Sequence, residues 1–340
     1  MESSSNHLPM SGNDRHFYHS FPRVRPGEDR QHVIQIGMEI LKAIRQIGLV
    51  LAPEVLTWKQ SLANGEYRTI TIRQRRMCFT ELARSEVPEH GKKFGPYALE
   101  LGIDALRRLG ALPVMYIPQH LKDDRQLSTV GATVVAELAD IKYTIGQLHQ
   151  LSQLADPSYL LNTVAKGSAT SVAEDCVLNL QNTDSAKNVV ATYQVPLTTI
   201  KDILSYIGYR NAPFDLMIGV LSFVQSLFYP TDDQIHDSLL EYYRQREWRL
   251  VSGLVVGGTN QSRLLTETEK QTLVSLDARF WTKEISDDRE SFRRIDDAMV
   301  IQEFEGKHIT DVISRVIVPP EAAEEATATF GDKVLVLEDG

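Results

Sequence analysis

The chain has 340 residues, 42% of them apolar, and carries 36 basic against 45 acidic side chains for a net charge of −9. That is enough apolar material for a real core in one large domain or two ordinary ones, while the acidic balance excludes a general surface for nucleic acid or anionic membrane and leaves only local basic patches for phosphate contacts. The two cysteines, Cys78 and Cys176, show neither CxxC spacing nor histidines at ligand spacing, which argues against a disulfide framework and a zinc site and makes both read as buried thiols.

Residues 1–14 are rich in Ser, Asn and Gly and read as disordered. They hold no signal-peptide core, and no apolar stretch of the chain approaches the roughly 20 residues of a membrane span. The expected compartment is the cytoplasm. HFYHSF (His16 to Phe21) then reads as a first strand, followed by a polar turn. From His32 to Gly48 the apolar residues Val33, Ile36, Ile40, Ala43, Ile44 and Ile47 recur at steps of three and four, which predicts an amphipathic helix capped by the glycine. LVLAPE and a polar tract to Tyr67 follow. RTITIRQRRMCFTEL alternates and ends with the character of a buried strand, its entrance crowded by Arg68, Arg73, Arg75 and Arg76.

EVPEHGKKF reads as a loop or short helix, YALEL as a strand, IDALRRL as a helix broken at Gly110, and PVMYI as another buried strand. Thr133 to Leu154 keeps the helical period over a longer span than an ordinary crossover. Between Asp156 and Asp233 the signals are mixed: DCVLNLQN suits strand or helix, PLTTIKDILSYIGY is helical, and PFDLMIGVLSFVQSLFYP reads as a buried helix ending before Pro230. Residues 151–231 are therefore expected to form a helical insertion in a single α+β domain spanning 15–330. EWRLV, IQEF and VISRVIVPP read as later strands, Pro319 and Pro320 as the opening of a last helix, and 331–340 as a terminal strand or tail.

No GxGxxG, GxxxxGK, HExxH, GxSxG or kinase signature occurs, so Rossmann, P-loop, zincin, hydrolase and kinase readings lose their anchors. Three features remain. The arginine cluster is either a basic surface strand or a clamp, since guanidinium forks bind diphosphate bidentately. His19, in an aromatic strand, is either a satisfied core histidine or an active-site group. Glu247, between Arg246 and Arg249, is either a surface ion pair or a carboxylate placed to stabilise an oxocarbenium-like ribose during N-glycosidic cleavage.

The order YHSF, IRQIGLVLAPE, QRRMCFTEL, FGPYALELGIDALRRLGALPVMYIP, YYRQREWRLV and ITDVISRVIVPPE resembles the AbiGi family of abortive phage-resistance proteins over most of the chain. More remotely it is similar to ADP-ribosyltransferase-like folds, including the DarT group that modifies DNA. That resemblance implies a split mixed β-sheet with outer helices and an NAD site, in which His19 orients the nicotinamide ribose, Arg75 or Arg76, with Arg68 in the same cluster, holds the diphosphate, Tyr97 stacks on the nicotinamide and Glu247 is the catalytic glutamate. No metal is implied. The expected function is bacterial antiviral defence, with NAD consumed as substrate and nucleic acid or protein as acceptor. The alternative is a noncatalytic antitoxin or interaction module paired with a cognate toxin or antitoxin. The Q/ExE pattern of many transferases is present only in the loose form Gln245, Arg246, Glu247, and Arg249 is an unusual close neighbour for a catalytic carboxylate.

Overall fold

The computed structural model describes residues 16–61, 66–119, 127–154, 177–183, 188–196, 198–199, 202–203, 214–232, 246–252, 255–256, 259–260, 262–287 and 290–337. The expectation of disorder at 1–14, the thiol of Cys176 and most of the helix expected at PLTTIKDILSYIGY lie outside them. The chain divides into two compact units, one made of Met1–Thr133 with Ser226–Gly340, the other of Val134–Gln225.

The first unit is α+β. Its strands and helices open with β1 (His16–Phe21), α1 (Arg30–Ile47), β2 (Leu49–Ser61), β3 (Tyr67–Leu82), α2 (Val87–Phe94), β4 (Tyr97–Gly102), α3 (Ile103–Arg108), β5 (Leu112–Pro113) and β6 (Met115–Gln119). A long helix, α4 (Leu127–Leu154), leads into the second unit, where the described residues add β7 (Val177–Thr183), β8 (Val189–Pro196) and α5 (Phe214–Leu227). The chain returns through β9 (Phe228–Asp232), β10 (Glu247–Val251), β11 (Val255–Val256), β12 (Thr259–Asn260) and β13 (Arg263–Leu264). It closes with α6 (Glu267–Leu276), α7 (Ala278–Trp281), β14 (Glu284–Ser286), β15 (Ser291–Arg293), β16 (Met299–Ile301), β17 (Glu303–Phe304), β18 (Lys307–His308), β19 (Arg315–Val318), α8 (Ala323–Phe330) and β20 (Val334–Val336).

The central sheet runs β13-β16-β2-β3-β1-β4-β19-β20, with β10 paired to β3 and β5 to β10. Its ladders are antiparallel except for β19 with β20. The polar tract expected after LVLAPE is instead mostly strand: ten consecutive residues of β2, Ala52 to Ser61, pair with Arg76 to Tyr67, and Val55, Thr57 and Trp58 are β-preferring side chains, with Leu56 and Trp58 buried at alternate positions. Strand β3 serves several partners. Its residues up to Arg76 pair with β2, Thr80 to Leu82 pair with β1, and Arg76 to Thr80 also pair with β10. Cys78 lies between the β2 and β1 ladders, where the sheet divides.

One face of the sheet is apolar. Phe17, Phe21, Met77, Phe79, Tyr97, Leu99, Leu101, Leu250 and Val316 pack with Met38, Leu41 and Ile44 of α1; of these three only Ile44 belongs to the apolar series read from the helical spacing. Asp29 caps that helix at its start, accepting from the His32 amide at 3.2 Å. Trp248, half a turn of pleat from Glu247, meets Phe17 edge-on at 5.2 Å between centroids. Pro319 and Pro320 open the last helical turns as the sequence suggested, and β20 supplies the terminal strand.

In the second unit the segment read as a helical insertion also contains an antiparallel hairpin, Val177–Thr183 against Val189–Pro196. The alternation of VLNLQNT, which suited either structure, resolves there to a strand. Helices α4 and α5 are joined by buried Gln225, whose Nε2 donates to the Val135 carbonyl at 3.4 Å and whose Oε1 accepts from Lys142 at 3.0 Å. No described helix is long and apolar enough to cross a membrane.

Candidate functional site

Register decides which expected site residues meet. Thr80 stands opposite Glu247 on one edge of β3 and opposite Tyr18 on the other, and Tyr18 stands opposite Glu100. Directly opposed residues share a face, so Glu247, Thr80, Tyr18 and Glu100 form a row across it. His19 is one residue further and points to the other face. It lies beside Phe21 and Phe79, at 6.0 and 5.8 Å between ring centroids, and its Nδ1–H donates to the Cys78 carbonyl at 2.8 Å. The split of the sheet leaves that carbonyl between ladders, and the histidine fills the gap. The expected convergence of His19 on Glu247 is not present.

Tyr97 is also elsewhere. It is fully buried on the α1 side, its hydroxyl donates to the Ile34 carbonyl at 2.7 Å, and a Cβ on Gly37 would lie 2.1 Å from its ring. The ring is a core contact that requires glycine on the helix, not a platform for a ligand. Of the arginines, Arg75 donates to the carbonyl of Asp297 at 2.8 Å and pairs with its carboxylate. Arg73 contacts Asp287 and Glu290 at 3.4 and 2.8 Å. Exposed Arg68 stands eight residues up β3 from Arg76, about 26 Å along a strand. Only Arg76 shares Glu247's surroundings.

Those surroundings form a polar cluster. Glu247 Oε1 accepts from Arg249 Nε at 2.9 Å, and Oε2 accepts from the Tyr116 hydroxyl at 2.6 Å. Arg249 is wholly buried and directs Nη1 to the Ser226 carbonyl at 3.1 Å and to Gln74 Oε1 at 3.5 Å. Its guanidinium lies 4.6 Å from the Tyr229 ring centroid, and that of Arg76 lies 5.0 Å from the same ring. Arg76 pairs in turn with Glu54. Strands β6 and β9, which pair in parallel from Met115↔Phe228 to Gln119↔Asp232, bring the two tyrosines side by side. Arg246, immediately before Glu247, has φ 42°, a left-handed conformation uncommon for a side chain other than glycine.

Burial pushes the Glu247 carboxyl up, but Arg249, with Cys78, Tyr116 and Arg76, more than offsets it and holds the group below the ordinary carboxylate value. The Cys78 thiol is pushed up to about 11 by desolvation and by the nearby Glu247 charge, so it is not a thiolate nucleophile at neutral pH. Burial and Glu247 likewise raise the Tyr116 hydroxyl. The cluster is thus an ionised carboxylate between a guanidinium and two neutral donors.

A second buried carboxylate, Glu100, lies along the same row. It accepts from Tyr18 at 2.9 Å and from Arg84 at 3.2 Å, with His16 Nδ1 at 3.2 Å. A glutamate amid the apolar residues of YALEL signals a buried partner, whereas nothing local in Tyr116, Tyr229, Gln74 or Glu54 announces their part in the Glu247 cluster. No described group of three or more His, Cys, Asp and Glu residues could hold a metal ion.

His90 sits near the split, with Nδ1 3.1 Å from the Ser20 hydroxyl and its ring stacked on Phe94 at 4.3 Å. Desolvation, then the Lys93 and His19 charges, lowers its pKa to about 4, and burial lowers that of His19 too. A folded-state pKa below the unfolded value of about 6.5 means that the unfolded chain binds protons first. Stability therefore falls as pH drops from about 6.5 towards 4. Urea midpoints at pH 7 and 5 are expected to differ more in the wild type than in His90→Gln; equal differences would remove His90 from the acid response.

No protein family, no curated protein and no solved structure matches the chain.

Proposed function

We propose that this chain is a noncatalytic interaction module of bacterial antiviral defence, in which Glu247, His19, Tyr97 and Arg75, four of the residues an NAD-consuming enzyme would use, are committed to holding the fold. The observation that supports this reading is that both oxygens of Glu247 are engaged within the fold, one by buried Arg249 and the other by Tyr116. A carboxylate so held is a poor electrostatic partner for a developing ribose cation, because the adjacent guanidinium already neutralises it. His19 and Tyr97 serve the opposite face. The defence role and a cognate toxin or antitoxin as partner rest on the AbiGi-like order of motifs.

A second reading keeps an ADP-ribosyltransferase-like site, and the observation favouring it is that Glu247 and Arg76 do share one cluster, beneath Tyr229 and beside Tyr116. Isothermal titration with NAD, followed by a turnover assay on wild type and Glu247→Ala, separates the two. The interaction reading expects no saturable NAD heat, no nicotinamide release, and a cognate protein retained when the chain is purified from cells expressing its neighbouring genes. Nicotinamide release that disappears in Glu247→Ala would overturn it.

A further inference from the structure

Two buried donors of the polar cluster lack an acceptor. Gln74 is 3% exposed, and its Nε2 has no hydrogen-bond partner. Arg76, two residues along the same face of β3, gives one nitrogen to Glu54, while its buried Nη1 has no partner either. Folds rarely leave buried amide and guanidinium N–H groups unpaired, because desolvating them without an acceptor is costly. Side chains two apart on a strand are near neighbours on one face, within common reach of one small acceptor group.

We propose that Gln74 and Arg76 form a binding site for a small monocarboxylate, with Glu54 as its built-in competitor. The ligand's charge follows from the charges already in place. Arg76 and Arg249 are balanced by Glu54 and Glu247, so a dianion taking the place of Glu54 would leave the cluster with one negative charge in excess. A monoanion can instead replace Glu54 on Arg76 and leave the balance unchanged. Glu54 is the member able to leave: its side chain is 38% exposed, against 13% for Glu247 and 1% for Arg249. Once turned outward its charge is solvated by water, so losing the Arg76 pair costs it little. The size follows from depth. The Arg76 side chain is 12% exposed and both unpaired nitrogens lie below the surface, which suits a free acid of a few atoms better than a side chain fixed to a partner's backbone. The site is independent of the interaction reading and requires no reaction.

The test is isothermal titration with sodium acetate and sodium formate, against sodium chloride and sodium phosphate at matched ionic strength. Saturable heat is expected for the carboxylates only. Glu54→Gln should tighten acetate roughly fivefold or more by removing the competitor, and Arg76→Met should abolish binding. Gln74→Leu, close in shape and leaving Arg249 its Ser226 carbonyl, should also weaken acetate at least fivefold, and it keeps the test decisive if Arg76→Met does not fold. Acetate heats equal to chloride would mean that the donors hold only water and would overturn the site. Tighter phosphate than acetate, or an unchanged affinity in Glu54→Gln, would overturn the carboxylate assignment.

Discussion

Arg249→Met is expected to lower the free energy of unfolding by about 3–5 kcal/mol, the range for breaking a buried ion pair by removing one partner. The side chain is wholly buried, and its loss leaves Glu247 beside Tyr116 without the cation that offsets burial. The penalty should depend on pH in a definite direction. In the wild type the lowered pKa of Glu247 contributes stability above the unfolded value near 4.5 that is lost as pH falls through the folded value. In Arg249→Met the carboxyl loses the strongest of the contacts that lower it, so its pKa moves up from the wild-type position and protonation on acidification relieves the strain. The gap between variant and wild type should therefore narrow as pH falls below about 5. Urea unfolding at pH 7 and pH 4.5 measures both.

The same experiment weighs structure against chemistry at Glu247. Replacing the whole trio by apolar groups of similar size, Glu247→Met with Arg249→Met and Tyr116→Phe, should recover much of the loss, since no buried charge is then left unpaired. A loss under about 1 kcal/mol in Arg249→Met would show that the pair contributes little to the fold. Glu247 would then be available for other work, and the transferase-like reading would gain.

Much of the fold was legible because local patterns agreed with their tertiary fate. The period of α1, the alternation of β3 and the Pro319–Pro320 helix start are one-dimensional signals, and each element stands where its signal lay. Strand β2 is only weakly marked beyond LVLAPE, since Val55, Thr57 and Trp58 favour a strand but Lys59, Gln60 and Ser61 do not, and pairing with β3 carries it through to Ser61. The site was legible by residue but not by geometry. Glu247 and Arg76 were singled out and do lie together, and the doubt raised by Arg249 corresponds to a 2.9 Å contact. His19 failed by one residue of strand phase, which separates two faces and is set by its pairing with Leu99. Tyr116 and Tyr229 are more than a hundred positions apart and adjoin only because β6 and β9 pair in parallel. No spacing rule carries that information.

Gly48 joins the legible and the illegible, and Gly48→Ala is expected to cost about 3 kcal/mol or more. Its role as the cap of α1 follows from the sequence, and its φ of +117° is a conformation that side-chain-bearing residues rarely adopt. What the sequence does not show is the neighbour. A Cβ there would lie 2.4 Å from the Ile301 carbonyl oxygen and 2.9 Å from the Gln302 Cα, both backbone atoms, and Ile301 is held in place by its pairing with Leu49. Backbone strain and overpacking each contribute about 1–3 kcal/mol, and neither a rotamer change nor a small shift relieves the contact without breaking the β16 and β2 ladder. Gly27 separates the two contributions, because it has φ +79° with nothing within 4 Å of the added Cβ. Gly27→Ala should lose only the conformational part, about 1 kcal/mol. Denaturant midpoints for the two variants provide the comparison: losses of equal size would mean that the turn between α1 and β2 moves away from Ile301, and that the contact does not fix where the helix docks on the sheet.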